Sequence, residues 1–234
     1  MNIAMILAGG TGSRVGEDIP KQFIKVHDKP VLAYTIENFE SNINIDYIEI
    51  VCHKDWIEYL KDLISKYQYK KVRWIVEGGN DFQHSALNGV KFLENKLNDD
   101  DMILIQYGAS PLTSEKVINE AINVCQMHGN AVSTFPIYQL LGSNDNDKSL
   151  SFVDRDKIIQ LTCPQVFLKK NLDMIYKEAL EKDLLDTVEP HTTSLMYALN
   201  IPIYQSYGEP WNIKITTKED IELFTRLLSI NKEI

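Results

Sequence analysis

A glycine-rich turn followed by two cations lies near the start of the chain, in the run MILAGGTGSRVGEDIPKQF. Three glycines in four residues, beginning at Gly9, cost conformational entropy on folding, which indicates that the backbone there needs an unusual geometry. The usual need is a close approach of backbone N–H groups to an anion, often a phosphate. Arg14 and Lys21 follow the turn, and two cations beside a phosphate nest suit a nucleoside triphosphate, because nucleotidyl transfer depends mainly on charge neutralisation.

The turn differs from the two most familiar phosphate-binding motifs. It lacks the glycine spacing of the dinucleotide fingerprint, and no acidic residue follows about 20 positions later to bind a ribose. It also lacks the glycine-lysine-serine/threonine ending of a Walker loop. A loop of backbone donors supported by cations is the remaining interpretation.

Strand and helix patterns alternate from the N-terminus to residue 137. This alternation predicts an α/β, Rossmann-like fold with a mostly parallel sheet and helices on both faces. The predicted strands cover 3–8, 47–53, 72–77, 101–107 and 131–137, with two short ones at 202–206 and 211–215. The predicted helices cover 30–40, 55–67, 81–97, 113–128 and 218–228.

A polar stretch at 138–160 breaks this alternation, with GSNDNDKS between two possible short strands. The pattern predicts a β-hairpin arm that projects from the sheet, and an ordinary surface loop is the alternative. The whole chain, 1–234, has the length of one large domain or two small ones, and the pattern favours one.

Four separate stretches are expected to meet at one edge of this sheet. Ligands of doubly wound sheets bind beyond the carboxyl ends of the strands. The glycine turn, Gly78-Gly79, the segment 107–111 and the end of the fifth predicted strand all follow strands. Their convergence predicts a binding site there.

The charge balance excludes one class of partner. The net charge is −9 at pH 7, so a nucleic-acid surface is not expected. An acidic protein that handles an anionic substrate must concentrate its cations locally, which makes Arg14, Lys21 and Lys214 candidates. Most other lysines are expected to be solvated surface charges.

The cysteines and the apolar runs indicate a cytoplasmic protein. Three cysteines lie far apart, with no metal-binding or disulfide spacing, which fits a reducing compartment. The apolar runs have the length of strands, so neither a signal segment nor a membrane span is expected.

The motif LAGGTGSR–x5–PKQF resembles the cytidylyltransferases that activate polyol phosphates with CTP. Three further stretches match in order: GG–x5–S–x2–N from Gly78, PQVF from Pro164, and NIKITT–x2–D from Asn212. The resemblance runs from residue 3 to about 228. Two related families share these motifs; one makes CDP-ribitol from ribitol 5-phosphate, and the other makes the cytidylylated methylerythritol of isoprenoid synthesis. LAGGTG and the helix in HKDWIEYLKDLISKY favour the ribitol-phosphate branch.

The resemblance implies a role for each matching residue. Arg14, Lys21 and Lys214 would neutralise the triphosphate, and Arg155 would bind the acceptor substrate. An acceptor phosphate oxygen would attack the α-phosphorus of CTP and release pyrophosphate. The arm at 138–160 would form the interface of a homodimer and help to build the neighbour's active site. The nucleotide-binding residues would be Leu7, Ala8, Gly9, Gly10, Thr11, Gly12, Gly79 and Ser85.

Several family positions are changed in this chain. A histidine-aspartate pair and an arginine of the family align with Gln106, Tyr107 and Ser110. The aspartate would hold Mg²⁺, for which a phenol is a poor ligand, and serine cannot replace the charge of arginine. A family arginine aligns with Phe82, and an acidic position with His191, which is expected to be an exposed loop residue. Mg²⁺ is still expected as the cofactor, weakly held or through unusual ligands that the sequence does not assign.

Three functions stay open at this point. The chain is expected to be a cytidylyltransferase that forms a CDP-alditol from a ribitol 5-phosphate-like acceptor, and a methylerythritol 4-phosphate acceptor is one alternative. The other is a weakened or inactive nucleotide-binding paralogue, which the loss of the aspartate at Tyr107 favours. Retention of Arg14, Lys21 and Lys214 favours activity.

Overall fold

A central sheet organises the computed structural model, which describes residues 1–10 and 19–230. The strands are β1 (Asn2–Ala8), β2 (Lys25–Val26), β3 (Lys29–Pro30), β4 (Tyr47–Cys52), β5 (Val72–Glu77), β6 (Met102–Tyr107), β7 (Asn130–Pro136), β8 (Ile159–Leu168) and β9 (Gln205–Tyr207). The helices are α1 (Val31–Glu40), α2 (Ile57–Tyr67), α3 (Phe82–Leu93), α4 (Glu115–His128), α5 (Lys169–Glu181), α6 (Thr192–Ala198) and α7 (Lys218–Ile230).

Seven of these strands form one mostly parallel sheet in the order β5-β4-β1-β6-β8-β7-β9. β5, β4, β1 and β6 are parallel neighbours, whereas β8 is antiparallel to both β6 and β7. The central β1 is nearly continuous in apolar residues because both faces of a parallel sheet are covered. The predicted α/β, Rossmann-like architecture is confirmed.

Helices cover the sheet on both faces and bury two separate cores. One core joins the sheet to α1, α2 and α4, and the other joins it to α3, α5 and α6. A third, smaller core holds α7, where Phe224 packs with Ala109 and Ile215. Across the described residues, no helix has the length and apolar character needed to cross a membrane.

Local capping residues set the ends of the helices beside the sheet edge. The Ser114 side chain accepts a hydrogen bond from the Val117 N–H at 3.3 Å and starts α4. Gly129 follows the last residue of α4 with a φ of +85°, so this helix ends at residue 128, as the sequence predicted. The Asp81 carboxylate accepts from the His84 N–H at 2.8 Å, so α3 begins immediately after the Gly78-Gly79 turn.

The C-terminal third differs most from the sequence prediction. β8, α5 and α6 were not predicted, and the predicted strand at 202–206 lies slightly later, as β9. The predicted strand at 211–215 is wrong, because its backbone forms no ladder. Side chains fix this segment instead: Asn212 Nδ2 donates to the Cys163 carbonyl at 2.7 Å, and Thr113 Oγ1 donates to Asn212 Oδ1 at 2.9 Å.

The predicted arm at 138–160 is a narrow hairpin rather than a pair of regular strands. Isolated antiparallel bridges join Gly142 to Phe152 and Asp145 to Lys148. Large apolar side chains remain exposed along it, including Leu140 at 92% and Phe152 at 82%. The arm therefore presents apolar side chains that the described part of the chain leaves exposed.

Candidate nucleotide-binding site

A cleft of about 560 Å³ lies beyond the carboxyl ends of β1, β4, β5 and β6. Each of these strands supplies cleft residues from the positions that follow it: Gly9 and Gly10, His53 and Lys54, Gly78 and Gly79, and Gly108 and Ala109. The predicted convergence is confirmed for the glycine turn, for Gly78-Gly79 and for the first three residues of the segment 107–111, and β4 joins them although its end was not predicted to do so. It is wrong for the fifth predicted strand, now β7, because β8 inserts between β6 and β7 and moves the end of β7 away from the cleft.

The PKQ segment fixes the start of the glycine turn. Gln22 is buried, and its side-chain Nε2 donates to the Ala8 carbonyl at 2.8 Å and to the Gly10 carbonyl at 2.7 Å. Two carbonyls are thereby turned towards Gln22. The sequence motif did not reveal this role, although its fixed spacing from the turn is the signal that could have done so.

Gly9, Gly78 and Ser85 pack so closely that a side chain on either glycine would require its neighbour to shift. A Cβ on Gly9 would lie 3.0 Å from Ser85 Oγ, and a Cβ on Gly78 would lie 3.2 Å from the Cα of Gly9. The turns after β1 and β5 therefore touch through their backbones. This contact forms one wall of the cleft.

Ser85 and Gly79 form a second tight contact. The Gly79 N–H donates to Ser85 Oγ at 3.1 Å, and a Cβ on Gly79 would lie 2.4 Å from the Cβ of His84. Gly10 differs, because a Cβ there would meet no described atom within 4 Å. Gly79 is thus needed by the fold itself, whereas Gly10 borders open space in the cleft.

Three lysines give the cleft a positive lining. Lys21 and Lys214, which the sequence singled out, both line it, and so does Lys54. Sequence reasoning missed His53 and Lys54, although their position directly after β4 would have placed them at this edge. His53 Nδ1 accepts a hydrogen bond from the Asp55 N–H at 3.3 Å.

Tyr107 ends β6 with its ring in the cleft and its hydroxyl turned into the protein. Gln165 Nε2 donates to the Tyr107 hydroxyl at 3.3 Å. Burial raises the pKa of the Tyr107 phenol well above its ordinary value of 10.0, so the side chain is neutral. The ammonium of Lys214 lies over the ring, 4.0 Å from its centroid.

The changed positions 82, 107 and 191 form one aromatic cluster. Phe82 packs edge-on against Tyr107 with centroids 5.6 Å apart, and His191 lies 5.0 Å from Phe82 and 6.1 Å from Tyr107. His191 is half-buried, so the expectation of an exposed loop histidine is wrong. Burial, followed by the nearby charge of Lys214, lowers the pKa of His191.

The other two changed positions lie behind the cleft. Gln106 is fully buried, and its Nε2 donates to the Ser110 carbonyl at 3.2 Å and to Thr113 Oγ1 at 2.9 Å. Ser110 is also fully buried. Neither side chain is placed to contact a ligand, and together they support the turn after β6.

The structure brings together most, but not all, of the sequence-predicted site residues. Ala8 lies just behind the cleft and contributes its carbonyl to Gln22. Arg155 lies at the base of the arm, outside the cleft of its own chain, and donates to the Tyr138 carbonyl at 2.7 Å. Thr11, Gly12 and Arg14 fall outside the described residues. The predicted residues that line the cleft are Leu7, Gly9, Gly10, Lys21, Gly79, Ser85 and Lys214.

The cleft offers oxygen ligands for a divalent cation from α3 and β5 rather than from β6. Glu77 and Asp81 line it, and Mg²⁺ is commonly held by one or two carboxylates together with substrate phosphates. Asp81, His84 and Asp186 also have ligand atoms within 4.8 Å of one another, but an imidazole ligand suits softer cations better. The carboxylates of the cleft thus fit Mg²⁺ in type.

Comparison with known proteins gives consistent results over nearly the whole chain. The family model described as 2-C-methyl-D-erythritol 4-phosphate cytidylyltransferase, IspD, matches residues 2–229. A ribitol-5-phosphate cytidylyltransferase of Lacticaseibacillus paracasei is 34% identical over 97% of this chain and 98% of its own length. A 2-C-methyl-D-erythritol 4-phosphate cytidylyltransferase of Thermosipho melanesiensis is 35% identical over 95% of this chain and 96% of its own.

A solved structure agrees with these sequence matches. The 4-diphosphocytidyl-2C-methyl-D-erythritol synthase of Anaerococcus prevotii superposes with a TM-score of 0.81 at 25% identity, over 97% of this chain and 98% of that one. Fold, cleft and sequence point to the same group of enzymes. The chain therefore belongs to the IspD family of cytidylyltransferases, which are nucleotidyltransferases.

Proposed function

We propose that the protein transfers a cytidylyl group from CTP to a polyol phosphate resembling ribitol 5-phosphate, forming a CDP-alditol and pyrophosphate. The observation that carries this proposal is the cleft itself. Backbone turns from β1 and β5 meet there, and Lys21 and Lys214 line the same space. A glycine turn and paired cations are the surroundings that a triphosphate requires.

The reaction needs little covalent help from the protein. A phosphate oxygen of the acceptor attacks the α-phosphorus of CTP, the new P–O bond forms, and pyrophosphate leaves with the electrons of the broken bond. The attacking oxygen is already ionised, so no general base is required. Lys21, Lys214 and Arg14 stabilise the charge that develops on the phosphates.

The neighbouring groups have supporting roles in this proposal. Leu7, Ala8, Gly9, Gly10, Thr11, Gly12, Gly79 and Ser85 bind the nucleotide. Glu77 and Asp81, with the triphosphate oxygens, would hold Mg²⁺, which would supply further charge neutralisation when bound.

Two alternatives rest on specific observations. The identity to the Thermosipho melanesiensis relative favours a methylerythritol 4-phosphate acceptor. The phenol of Tyr107, at the end of a strand that borders the cleft, favours a nucleotide-binding protein with weak or no catalysis. Both alternatives retain the CTP site and differ only in what happens at the acceptor.

We further propose a cytoplasmic homodimer in which each chain, 1–234, is one nucleotidyltransferase domain. The exposed apolar side chains of the arm at 138–160 support a second copy as their cover. Arg155 at the base of this arm then reaches the acceptor in the partner's cleft. Three free, buried cysteines fit a reducing compartment.

A pyrophosphate-release screen tests the proposal. CTP, ATP, GTP and UTP are each paired with ribitol 5-phosphate, methylerythritol 4-phosphate and other polyol phosphates, with and without Mg²⁺. The proposal expects release only with CTP, and fastest with ribitol 5-phosphate. A Lys214→Met variant is the control for contaminating activity. CTP binding without release from any acceptor supports the inactive paralogue, and no CTP binding contradicts all three functions.

A further inference from the structure

An ammonium group and an aromatic ring meet at the centre of the cleft. Lys214 Nζ lies 4.0 Å from the centroid of the Tyr107 ring, well within the distance at which a cation is attracted to a ring face. Both residues line the cleft. They come from opposite halves of the sequence, so the fold has built this contact.

The Tyr107 ring is held rigidly on several sides. Its backbone lies at the end of β6, opposite Leu7 of β1, and its hydroxyl accepts from Gln165, which is almost completely buried. Phe82 packs against it edge-on, and His191 lies beside both rings. A ring fixed in this way is a stable platform for a neighbouring group.

Lys214 benefits from such a platform. Its side chain has four methylene groups joined by rotatable bonds, so fixing the ammonium at one point costs conformational entropy. Its backbone segment has no strand ladder and is fixed through Asn212 and through the Ile215 N–H, which donates to the Ala109 carbonyl at 2.8 Å. The ring adds a constraint at the far end of the side chain.

A ring differs from a carboxylate in what it leaves to the ligand. An aromatic face attracts a cation without carrying a net charge, so the ammonium keeps its positive charge for a phosphate. A carboxylate in the same place would cancel part of that charge. The neutral state of the buried phenol is consistent with this arrangement.

We propose that Tyr107 is a positioning residue, whose ring holds the Lys214 ammonium over its face in the geometry that binds the CTP triphosphate. This inference rests on the proposed function, since it assumes that CTP occupies the cleft. It assigns Tyr107 a role that depends on ring electrons and not on the hydroxyl, because the hydroxyl is directed towards Gln165.

Calorimetry with CTP and with cytidine tests this role. Tyr107→Phe keeps the ring and is expected to bind CTP as the wild type does. Replacing Tyr107 by trifluorophenylalanine keeps the shape but withdraws the ring electrons, and Tyr107→Leu removes the ring. Both are expected to weaken CTP binding by about 3- to 30-fold, the range of one cation–π contact. Cytidine, which has no phosphates, is expected to bind all four proteins alike.

A second cation–ring pair provides a matched control. Lys116 Nζ lies 3.9 Å from the centroid of the Tyr207 ring, which is outside the cleft. Tyr207→Leu is expected to leave CTP affinity unchanged. Lys214→Met is expected to lose CTP affinity, and adding trifluorophenylalanine at 107 should then cause no further loss.

The outcomes separate this inference from the proposed function. A wild type that does not bind CTP overturns the proposed function. A wild type that binds CTP, with equal affinity in the phenylalanine and trifluorophenylalanine proteins, overturns the positioning role alone. Equal loss of cytidine and CTP binding also overturns it, because the role concerns only the phosphates. The fluorinated protein keeps the test decisive even if Tyr107→Leu fails to fold.

Discussion

Gln22 holds Gly10 in place from twelve residues further along the chain, through a hydrogen bond of 2.7 Å from its side-chain Nε2 to the Gly10 carbonyl. The same nitrogen also donates to Ala8. Both acceptors lie at the carboxyl end of β1, so one buried side-chain amide determines the backbone path into the glycine turn. This pair connects the two halves of the opening motif.

Gln22→Glu should therefore disturb the conformation of the glycine turn more than the packing of the core. The carboxylate cannot donate, and it would face two carbonyl oxygens, which should cost about 1–3 kcal/mol of stability. CTP affinity should fall at least about tenfold, since the turn would move. Urea unfolding and calorimetry measure the two effects, with Lys25→Gln on the nearby surface as control. Unchanged CTP affinity would show that the turn forms without this bond.

Gly10→Ala should separate ligand binding from folding. A methyl group there meets no described atom, so the free energy of unfolding should change by less than about 0.5 kcal/mol. CTP affinity should fall, because the added carbon takes up space where the phosphates approach the backbone. Gly79→Ala is the contrasting variant, expected to lose several-fold more stability because its Cβ would collide with His84. Normal CTP binding by Gly10→Ala would place the phosphates elsewhere.

Removing the Lys21 ammonium should reduce the stabilisation of the transition state more than it reduces the stability of the fold. Lys21→Ala is expected to lower kcat/KM for CTP by an amount that corresponds to about 2–4 kcal/mol of transition-state stabilisation, the range for one preorganised electrostatic partner. Steady-state pyrophosphate release measures the loss. Lys25→Ala, on an exposed side chain of the adjacent strand, is the matched control. Equal rates for the two variants would contradict the role of Lys21.

The buried carboxyl of Glu49 should make stability fall as the pH rises. It lies on β4 with both oxygens unpaired among the described residues, and burial raises its pKa from 4.5 to about 9, against a smaller opposing effect of Lys96. The folded protein keeps the proton that the unfolded chain releases, so the contribution of Glu49 to stability is greatest below about pH 4.5 and declines up to about pH 9.

Glu49→Gln should remove this decline. Between pH 5 and 9, the stability of the variant relative to the wild type should rise by up to about 1.4 kcal/mol per pH unit. Chemical unfolding at several pH values gives the slope, and Glu94→Gln on an exposed position controls for surface charge. Parallel pH profiles for wild type and Glu49→Gln would mean that Glu49 ionises in the folded state.

Deleting Gly142–Lys148 should convert the proposed dimer into a monomer. The tip carries the bridge from Asp145 to Lys148, and its loss leaves Leu140 and Phe152 without a hairpin to present them. Light scattering measures the mass, and CTP calorimetry checks that the cleft is intact. A dimer of unchanged mass would place the interface elsewhere.

The strand pattern was predictable because it depends on local apolar runs. β8 was harder to predict, since it contains Pro164, and proline is rare within central strands. The ladder explains the exception: the pairing of β7 with β8 shifts between Val132 and Thr134, and Pro164 falls in this irregular step. Only the three-dimensional register shows that no donor is needed there.

The candidate site also contains a part that was predictable from the sequence and a part that was not. The glycines and Lys21 were predictable from spacing, because a turn and its cations lie close together in sequence. The aromatic cluster was not, since Phe82, Tyr107 and His191 lie far apart in the sequence, and their spacing does not show that their rings are in contact. Their contact is a property of the fold, which brings the start of α3, the end of β6 and the residue before α6 to one corner.

The backbone contact between Gly9 and Gly78 limits which substitutions the protein can accept in evolution. A Cβ on Gly9 would lie 3.0 Å from Ser85 Oγ and one on Gly78 would lie 3.2 Å from the Cα of Gly9, so a side chain at either position requires its neighbour to shift. A smaller residue at position 85 would make room for a side chain at position 9, but it would also remove the acceptor of the Gly79 N–H. Positions 9, 78 and 85 are therefore expected to change together. A new acceptor substrate can be accommodated more readily by substitutions in the aromatic cluster than by substitutions at these three positions.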